Sequence, residues 1–257
     1  MKTLQHTSLA LLGMLIMGTQ TPLKADVLSP TELHATLGIV TNFILDNNSI
    51  RHHGTSYNKV TSPYTGKVWL DRNLGASRVC VSVDDTQCYG DYYQWGRDAD
   101  GHEDSLSNTT FVKSATVVNV GHGDFILPRV VLPIDWVVNG VDNFNTLRIA
   151  QWSKIDGTSV CPVGFRVPTF SELDTELLRA ENKDDAYQNF LKFGAAGRRD
   201  ALTGNNEFGV IGKEIFLWTI TVGDFRPTVT CILFQEANKR VNQLAPNFGG
   251  SVRCIKD

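Results

Sequence analysis

Clustered positive charge is nearly absent from this sequence. The 257 residues include 24 lysines and arginines against 27 aspartates and glutamates, a formal net charge of −3. The basic residues are scattered singly, apart from the adjacent pairs Arg198 with Arg199 and Lys239 with Arg240. Because nucleic-acid binding needs a clustered positive face, this composition excludes a nucleic acid as the partner.

Long apolar runs are also missing. The apolar run at 9–17 is too short to span a bilayer. It follows a charged start at Lys2 and leads to a small residue, Ala25, an order typical of a secretory signal peptide. We therefore predict a cleaved signal peptide over 1–25, no transmembrane segment after cleavage, and a secreted, periplasmic or cell-surface location. The remainder is long enough for one large domain with a sizeable core.

Sequence motifs for the common catalytic classes are absent as well. There is no nucleophile elbow, no phosphate-binding glycine loop and no HExxH motif. The adjacent histidines His52 and His53 have two interpretations, a metal contact or a solvated loop. His102 and His122 flank a polar loop and could converge, but nothing local indicates that they do. Since paired acids for proton transfer cannot be recognised without geometry, catalysis stays an alternative to binding.

Cysteine is infrequent and odd in number, with five residues and no CxxC pair. In an exported chain such cysteines favour disulfides over metal ligands. Cys80 and Cys88 flank a short polar loop, and a bridge between them would stabilise the fold by roughly 2–3 kcal/mol. We predict this bridge and a second, Cys161–Cys254, which would contribute about 4–5 kcal/mol. Cys231, in the apolar run CILF, is then left as a buried free thiol.

Short apolar stretches separated by Gly, Pro, Asn and Asp predict an irregular α+β domain with many loops. The predicted strands are, in chain order, 68–70, 92–95, 125–127, 215–221 and 229–234. No βαβ alternation and no internal repeat is present.

Three helices are predicted. A lead-in helix over 29–45 precedes a polar loop at 47–58. Thr169 is the N-cap of a second helix, and Glu172 completes a capping box with it. The inward-facing positions of this helix are Leu173, Leu177 and Leu178. A third, short helix is predicted over 184–193.

The densest group of aromatic side chains is CYGDYYQWGR at 88–97. Read as a strand, it places Tyr89, Asp91, Tyr93 and Trp95 on one face and Gly90, Tyr92, Gln94 and Gly96 on the other. We expect the face with the rings to pack against the core.

An acidic loop follows directly. Asp98, Asp100, Glu103 and Asp104 surround Gly101, and oxygen ligands at alternate positions around a tight glycine turn suit Ca²⁺. The twelve-residue calcium pattern is not matched, because its first aspartate and its last glutamate are replaced by Gly96 and Ser107. Calcium is therefore the candidate cofactor, and a solvated acidic loop is the alternative.

Four sequence blocks occur in the order found in one known family. They are VTSPYTGKVWLDRNLGAS (60–77), CYGDYYQWGR (88–97), CPVGFRVPTFSEL (161–173) and GGSVRCIKD (249–257). With them, the chain resembles the Fibrobacter succinogenes major paralogous domain, a family of exported bacterial proteins. The resemblance implies a C-type-lectin-like α+β fold, with a small twisted antiparallel sheet, two helices and long disulfide-stapled loops. It also supports the Cys161–Cys254 bridge.

The resemblance divides the chain into three parts. They are a signal peptide (1–25), a lead-in helix and linker (26–53), and the C-type-lectin-like domain (54–257). No activity comes with it. Formylglycine-generating enzymes, which share the fold, hold copper through a closely spaced cysteine pair, whereas Cys231 and Cys254 are far apart. The triplets with which C-type lectins hold calcium and sugar are absent, and the nearest sequence, APN at 245–247, lacks the carboxylate.

Some proteins of this fold vary the segment before the final strand, which here is 223–250. Its candidates for a binding face are Asp224, Phe225, Arg226, Gln235, Glu236, Asn238, Arg240, Asn242 and Asn247. Such a mixture suits adaptable recognition, and equally an ordinary polar loop. We therefore expect an exported, non-catalytic recognition protein with a protein or glycan ligand. The alternatives are an enzyme of the formylglycine-generating group and a structural envelope component.

Overall fold

Twelve short strands and three α-helices form in residues 48–128, 134–203, 210–225 and 228–257, which a computed structural model describes. The strands are β1 (Ser49–His52), β2 (Thr55–Thr61), β3 (Val68–Leu70), β4 (Tyr93–Gln94), β5 (Thr109–Thr110), β6 (Phe125–Ile126), β7 (Phe165–Arg166), β8 (Ile215–Val222), β9 (Val229–Phe234), β10 (Lys239–Leu244), β11 (Gly249–Gly250) and β12 (Ile255–Lys256). The helices are α1 (Thr146–Trp152), α2 (Phe170–Glu176) and α3 (Lys183–Gln188). The α+β class is as predicted. The predicted signal peptide (1–25) and lead-in helix (29–45) lie outside the described residues.

The strands group into four sheets. The largest is antiparallel with the order β1-β2-β3-β12-β7, and the next is the antiparallel sheet β10-β9-β8. Two small pairs, β11-β4 and β5-β6, complete the set found in the described ranges. In the largest sheet Ile255 of β12 pairs with Trp69 of β3 and Arg166 of β7. The C-terminal residues therefore close the sheet between two distant segments. None of the described helices is long and apolar enough to cross a bilayer.

Residues 49–58, within the segment predicted to be a polar loop, form a hairpin. His52 pairs with Thr55 at the end of the β1–β2 ladder. His53 and Gly54 between them have φ values of 44° and 79°. Two positive φ angles in a two-residue connection match the right-handed twist of the flanking strands. Strand β1 thus belongs to the sheet, and the domain boundary predicted at residue 54 cuts through this hairpin.

Helix α2 begins as predicted. The Thr169 side chain accepts a hydrogen bond from the backbone N–H of Glu172 at 3.2 Å, and Glu172 Oε2 accepts one from the Thr169 N–H at 2.9 Å. Leu173 and Leu177 are fully buried, but Leu178 is 68% exposed. The helix ends at Glu176, so Leu178 no longer follows the helical period that predicted its burial.

Removing this cap is expected to have a modest, measurable effect. Thr169→Ala should lower the free energy of unfolding by about 1 kcal/mol, because the Glu172 backbone N–H loses its acceptor and the Glu172 carboxylate loses the Thr169 hydroxyl. Thr175→Ala, which removes a hydroxyl bonded to the Ser171 carbonyl inside the same helix, is the matched control and should change stability by less than about 0.5 kcal/mol. Urea unfolding of both variants checks the prediction, and equal losses would contradict it.

Helix α1 and strand β10 are among the elements that have no counterpart in the prediction. The N-cap of helix α1 is Asn145, whose φ is 62° and whose side chain makes no capping bond to the helix backbone. Strand β10 is polar along most of its length, KRVNQL, and is half-buried or exposed throughout. Its place at the side of β9 makes it a strand, whereas its sequence alone does not. The third predicted helix, 184–193, is shorter in the structure and ends at Gln188.

The aromatic segment is buried on both faces. Tyr93 and Trp95 lie in the main hydrophobic core, as predicted. Tyr92 and Gln94 point the other way and are buried too. The Tyr92 hydroxyl and the Gln94 amide donate to backbone carbonyls at 2.7 and 2.8 Å. The second face is therefore covered by loops that meet its polar groups.

Both predicted disulfides are present. Cys80 and Cys88 have Cα atoms 5.0 Å apart, and Cys161 and Cys254 have theirs 6.0 Å apart. Cys231 is free and buried in β9, as predicted. Its thiol donates to a backbone carbonyl of β10 at 3.5 Å. Burial raises the pKa of the Cys231 thiol to about 12.

Buried arginines hold the long loops together. Arg97, Arg148, Arg199 and Arg253 are all fully enclosed. The guanidinium of Arg148 is bonded to Asp135 at 2.6 and 2.9 Å, and its Nε donates to Asp142 at 3.0 Å. It also lies 5.5 and 5.6 Å from the ring centroids of Trp95 and Trp136. These contacts connect α1 to the segment 134–142 and to the aromatic core.

Candidate functional site

A recess of about 220 Å³ opens beside the β1–β2 hairpin. We call it the hairpin recess. Its lining residues come from the hairpin, from the turn after β3 and from the aromatic segment, and they are His52, His53, Thr55, Tyr57, Leu74, Gly75, Asp91 and Tyr93. The recess thus brings together two imidazoles, two phenols, a hydroxyl and one carboxyl. In the sequence, the first of these residues, His52, lies 41 positions before the last, Tyr93. It is the described recess in which the most kinds of polar group converge.

The two histidines are placed by the hairpin turn. The His52 Nε2–H donates to the Val160 carbonyl at 2.8 Å, so in the neutral ring the Nδ1 carries no proton and is an acceptor. Burial lowers the pKa of His52, and the neighbouring His53 lowers it further. The two rings lie edge to face, with centroids 4.0 Å apart. His52 is therefore neutral at pH 7, and His53 stands exposed at the rim.

Asp91 is the only charged group of the recess lining. Its Oδ2 accepts a hydrogen bond from the Tyr93 hydroxyl at 3.3 Å, and within the described residues Oδ1 has no donor. Burial, together with the negative charges of Glu103 and Asp104, raises the pKa of Asp91 to about 7. The carboxyl rests directly on Gly75, where a Cβ would lie 2.1 Å from Oδ2. A glycine at that position, with φ at +75°, is what gives the carboxyl its place.

The phenols form the inner wall. The Tyr57 hydroxyl accepts a hydrogen bond from the Gly75 N–H at 2.9 Å. The guanidinium carbon of Arg72 lies 5.1 Å from the Tyr57 ring centroid. Burial raises the pKa of both Tyr57 and Tyr93. Both phenols are therefore protonated at neutral pH, and each fixes one wall of the recess through a bond to its neighbour.

The arrangement is suited to holding a ligand. Nucleophilic catalysis needs a nucleophile within hydrogen-bond reach of a base that a third group orients. No serine or cysteine lines the recess. The Nε2–H of His52 donates to a backbone carbonyl and is not bonded to a nucleophile. What the recess offers is a set of hydrogen-bond acceptors around one accessible carboxyl oxygen.

The structure does not gather the four predicted calcium ligands. Among the described residues, only Asp100 and Glu103 lie close enough, together with His102, to share an ion. Asp98 instead accepts from a side-chain amide of α1 at 2.7 Å, and Asp104 accepts from a backbone N–H at 2.8 Å. The oxygens of Asp100 and Glu103 already accept hydrogen bonds from Arg97, His102 and the backbone. The geometry therefore favours the alternative, an acidic turn held by its own hydrogen bonds.

His102 is not available as a ligand either. Its Nε2 accepts from the Gln94 N–H at 3.0 Å, so the proton is on Nδ1, which donates to Asp100 at 2.8 Å. Burial lowers the pKa of His102 to about 4. Both ring nitrogens are thus engaged, and His102 fixes the acidic turn to β4. The other flanking histidine, His122, contacts Asp124 next to it and does not meet His102 in a site.

The predicted binding face over 223–250 is not one surface. Asp224 and Phe225 lie in the turn between β8 and β9. Gln235, Glu236 and Asn238 lie in the turn between β9 and β10, while Arg240 and Asn242 lie on β10. Six residues of β9 separate the two turns, which is about 20 Å at roughly 3.3 Å per residue. These side chains therefore follow the edge of the β8–β10 sheet as a strip.

One of the nine predicted face residues, Asn247, does not belong to the strip. Asn247 is fully buried, with its Nδ2 donating to the Ala201 carbonyl at 3.0 Å. The chain turns inward there between β10 and β11, so a polar residue after a proline was wrongly predicted to be exposed. Arg226 lies outside the described residues. Phe225 of the strip is 76% exposed.

A second recess, of about 280 Å³, lies at one end of this strip. Gln235, Glu236 and Asn238 line it together with Glu214. The Glu214 carboxylate is already bonded to Arg198, and it accepts from Gln235 Nε2 at 3.2 Å. The Glu214 carboxylate is thus neutralised by the protein itself, in contrast to Asp91.

Sequence reasoning found part of the hairpin recess. The pair His52 and His53 was singled out, with a metal contact as one interpretation, and Asp91 and Tyr93 were placed on one face of the aromatic segment. Tyr57 was not singled out. Its alternation with Thr55 in TSYNKVT was the available signal, because period-two spacing after a turn predicts a strand.

Comparison with protein-family models, with curated proteins and with solved structures finds no match. The functional argument rests on the geometry of the recess.

Proposed function

We propose that this chain is an exported, non-catalytic recognition protein that binds a protein or glycan ligand in the hairpin recess. The observation that carries the proposal is the Asp91 carboxyl, which is half-enclosed, uncompensated by any lysine or arginine of the lining, and open at Oδ1. Proteins rarely enclose such an acid without a partner. A ligand that supplies the missing donor would explain it.

The C-type-lectin-like fold and membership of the Fibrobacter succinogenes major paralogous family are part of this proposal. Three features support them. The Cys161–Cys254 bridge joins the segment before β7 to the last strand of the largest sheet. The capped helix α2 follows β7 directly, and long loops connect most of the short strands. Two disulfides also support export, since they persist in oxidising compartments.

Binding is favoured over catalysis because the Nε2–H of His52 is bonded to the Val160 carbonyl, and no described hydrogen bond joins either histidine to a hydroxyl of the lining. Binding is also favoured over a purely structural role. In a structural site we would expect the Asp91 carboxyl to be neutralised by a basic side chain, as Arg198 neutralises Glu214.

Binding of the chain 26–257 to arrayed glycans and surface-protein extracts tests the proposal. Asp91→Asn is expected to weaken binding at least tenfold, because the amide keeps the shape of the side chain and loses its charge. Asp184→Asn removes an exposed acid on α3 and serves as the matched control. Each variant is measured with calcium and with a chelator, and we expect the chelator to have no effect.

Three other outcomes count against the proposal. Loss of binding in Arg240→Ala with none in Asp91→Asn would move the site to the β8–β10 strip. Loss with chelator would restore the acidic loop as a calcium site. No binding by the unmodified chain in either buffer would overturn recognition and favour a structural component.

A further inference from the structure

We propose that the hairpin recess binds a primary ammonium group, presented as the lysine side chain of a protein partner. This inference rests on the proposed function, since it names the chemical class of ligand for the same recess.

The sign of the charge is the first argument. Asp91 is the single ionisable acid of the lining, and no lysine or arginine lines the recess. Glu103 and Asp104 lie behind it and act on it with the same sign. An anionic ligand would meet this negative charge without any compensating donor, whereas a cation is attracted by all three acids. The recess is therefore selective against carboxylates and phosphates.

The lack of a partner for Asp91 is the second argument, because other enclosed acids of the described chain have one. Arginine pairs with Asp85, Asp100, Asp135, Asp142, Glu172 and Glu214. Glu176 has no arginine, but it accepts from three side chains, those of Ser62, Thr65 and Trp69. Asp91 has one hydroxyl, at 3.3 Å. Asp98 also lacks an arginine, but a side-chain amide donates to it at 2.7 Å, while its Oδ1 is buried and has no donor among the described residues. Asp91, with a single hydroxyl at 3.3 Å, is the more weakly paired of the two, and a cation from outside would supply its missing donor.

Hydrogen-bonding capacity is the third argument. A primary ammonium group carries three N–H donors and no acceptor. The recess presents two acceptors, Oδ1 of Asp91 and the unprotonated Nδ1 of His52, whereas the Tyr57 hydroxyl is already bonded to Gly75 and to Thr55. No asparagine, glutamine, lysine or arginine is present in the lining to donate to a ligand. The hydroxyls of Thr55 and Tyr57 could also donate to a sugar. The ionised carboxyl of Asp91 and the Nδ1 of His52 only accept, so a lysine side chain is favoured over a glycan.

Size gives the fourth argument. The volume of about 220 Å³ is below the roughly 300–1,000 Å³ of recesses that enclose drug-sized molecules. A lysine tip on its slender alkyl chain fits such a space while its backbone stays outside. The aromatic rings of His52, His53 and Tyr93 line the recess, and aromatic rings attract organic cations.

Three soluble probes test the ligand class by NMR titration of the ¹⁵N-labelled chain. They are Nα-acetyl-lysine methylamide, the same molecule acetylated on Nε, and glucosamine. We expect the first to shift the amide signals of Gly75 and Asp91 with saturation, and the second to bind at least tenfold more weakly. Asp91→Asn should weaken the first probe at least tenfold, and Asp184→Asn should not.

The pH dependence of the first probe is a second readout. The groups that face Asp91 are His52, His53, Tyr57 and Tyr93 in the recess, with Glu103 and Asp104 behind it. Arg72 lies against Tyr57 and is bonded to Asp71. Protonation of Asp91 removes attraction for a cation, and protonation of His52 adds repulsion. Affinity is therefore expected to fall steadily between pH 8 and pH 5, and in Asp91→Asn most of that fall should disappear.

The outcomes separate this inference from the proposed function. Equal binding of the lysine probe and its Nε-acetyl form, or tighter binding of glucosamine, would overturn the lysine assignment. If no ammonium probe binds while extract proteins still bind in an Asp91-dependent way, the ligand class is wrong and the recess stays the site. If neither probes nor extracts bind, the proposed function fails with it.

Discussion

Replacement of Arg148 by methionine is expected to lower the free energy of unfolding by about 3–5 kcal/mol, which is the cost of leaving a buried ionic partner uncompensated. Here two partners would be left: Asp135 and Asp142 both bond to Arg148 and are both enclosed. Methionine keeps the bulk of the side chain, so the loss reports charge and hydrogen bonds more than a cavity. Urea or thermal unfolding followed by circular dichroism measures it.

Two further variants make this prediction specific. Lys67→Met breaks an ion pair with Glu172 in which the lysine is largely in solvent, and such exposed pairs contribute about 0–1 kcal/mol. The triple variant Arg148→Met, Asp135→Asn, Asp142→Asn should recover part of the lost stability, because it no longer buries unpaired charge. If the single Arg148 variant is as stable as the Lys67 variant, Arg148 does not organise the loops as we describe.

Replacement of Asp91 by asparagine is expected to stabilise the protein at high pH. In the folded chain the pKa of Asp91 is raised from 3.8 to about 7, so the folded state holds a proton that the unfolded state has released. Stability from this group is fully present below pH 4 and is lost as the pH rises through 7. At pH 8 the variant should be more stable by about 4 kcal/mol, at about 1.4 kcal/mol per pKa unit.

The measurement is a pair of thermal unfolding curves for each protein. At pH 8 the variant should unfold roughly 10 °C higher, given about 2–4 °C per kcal/mol for a chain of this size. At pH 4 the difference in unfolding temperature should nearly vanish. The Asp91 carboxyl of the folded parent is then largely protonated and is uncharged, like the asparagine amide. A variant less stable than the parent at pH 8 would show that the Asp91 carboxylate is structural. A gain in stability with a loss of binding is the trade-off expected at a functional site.

Local patterns predicted the local structure well. The capping box at Thr169 depends on two residues three positions apart, and both interactions are present. Apolar runs such as 229–234 are strands because burial on both faces suits them. The two disulfides followed from an oxidising compartment and from loop lengths. In each case the information lay within one segment or in the type of residue.

Features that depend on distant partners were not predictable. A buried arginine looks like a surface arginine until its acids are known, and Arg253 bonds Asn73, 180 positions earlier in the chain. The hairpin turn at His53 and Gly54 was missed because histidine at positive φ is an uncommon choice. Strand β10 was missed because an edge strand can be polar on both faces. The hairpin recess draws on three separate segments, so its existence appears only in the fold.

The single free thiol has a practical consequence for handling the protein. Cys231 is sealed in β9, and burial raises the pKa of its thiol to about 12, so at neutral pH almost none of it is the thiolate that reacts with alkylating reagents. Modification of Cys231 thus requires the strand to open, and its rate reports how often the native molecule does so. The rate at which a thiol reagent modifies Cys231 therefore measures how often the native state of each variant described above opens.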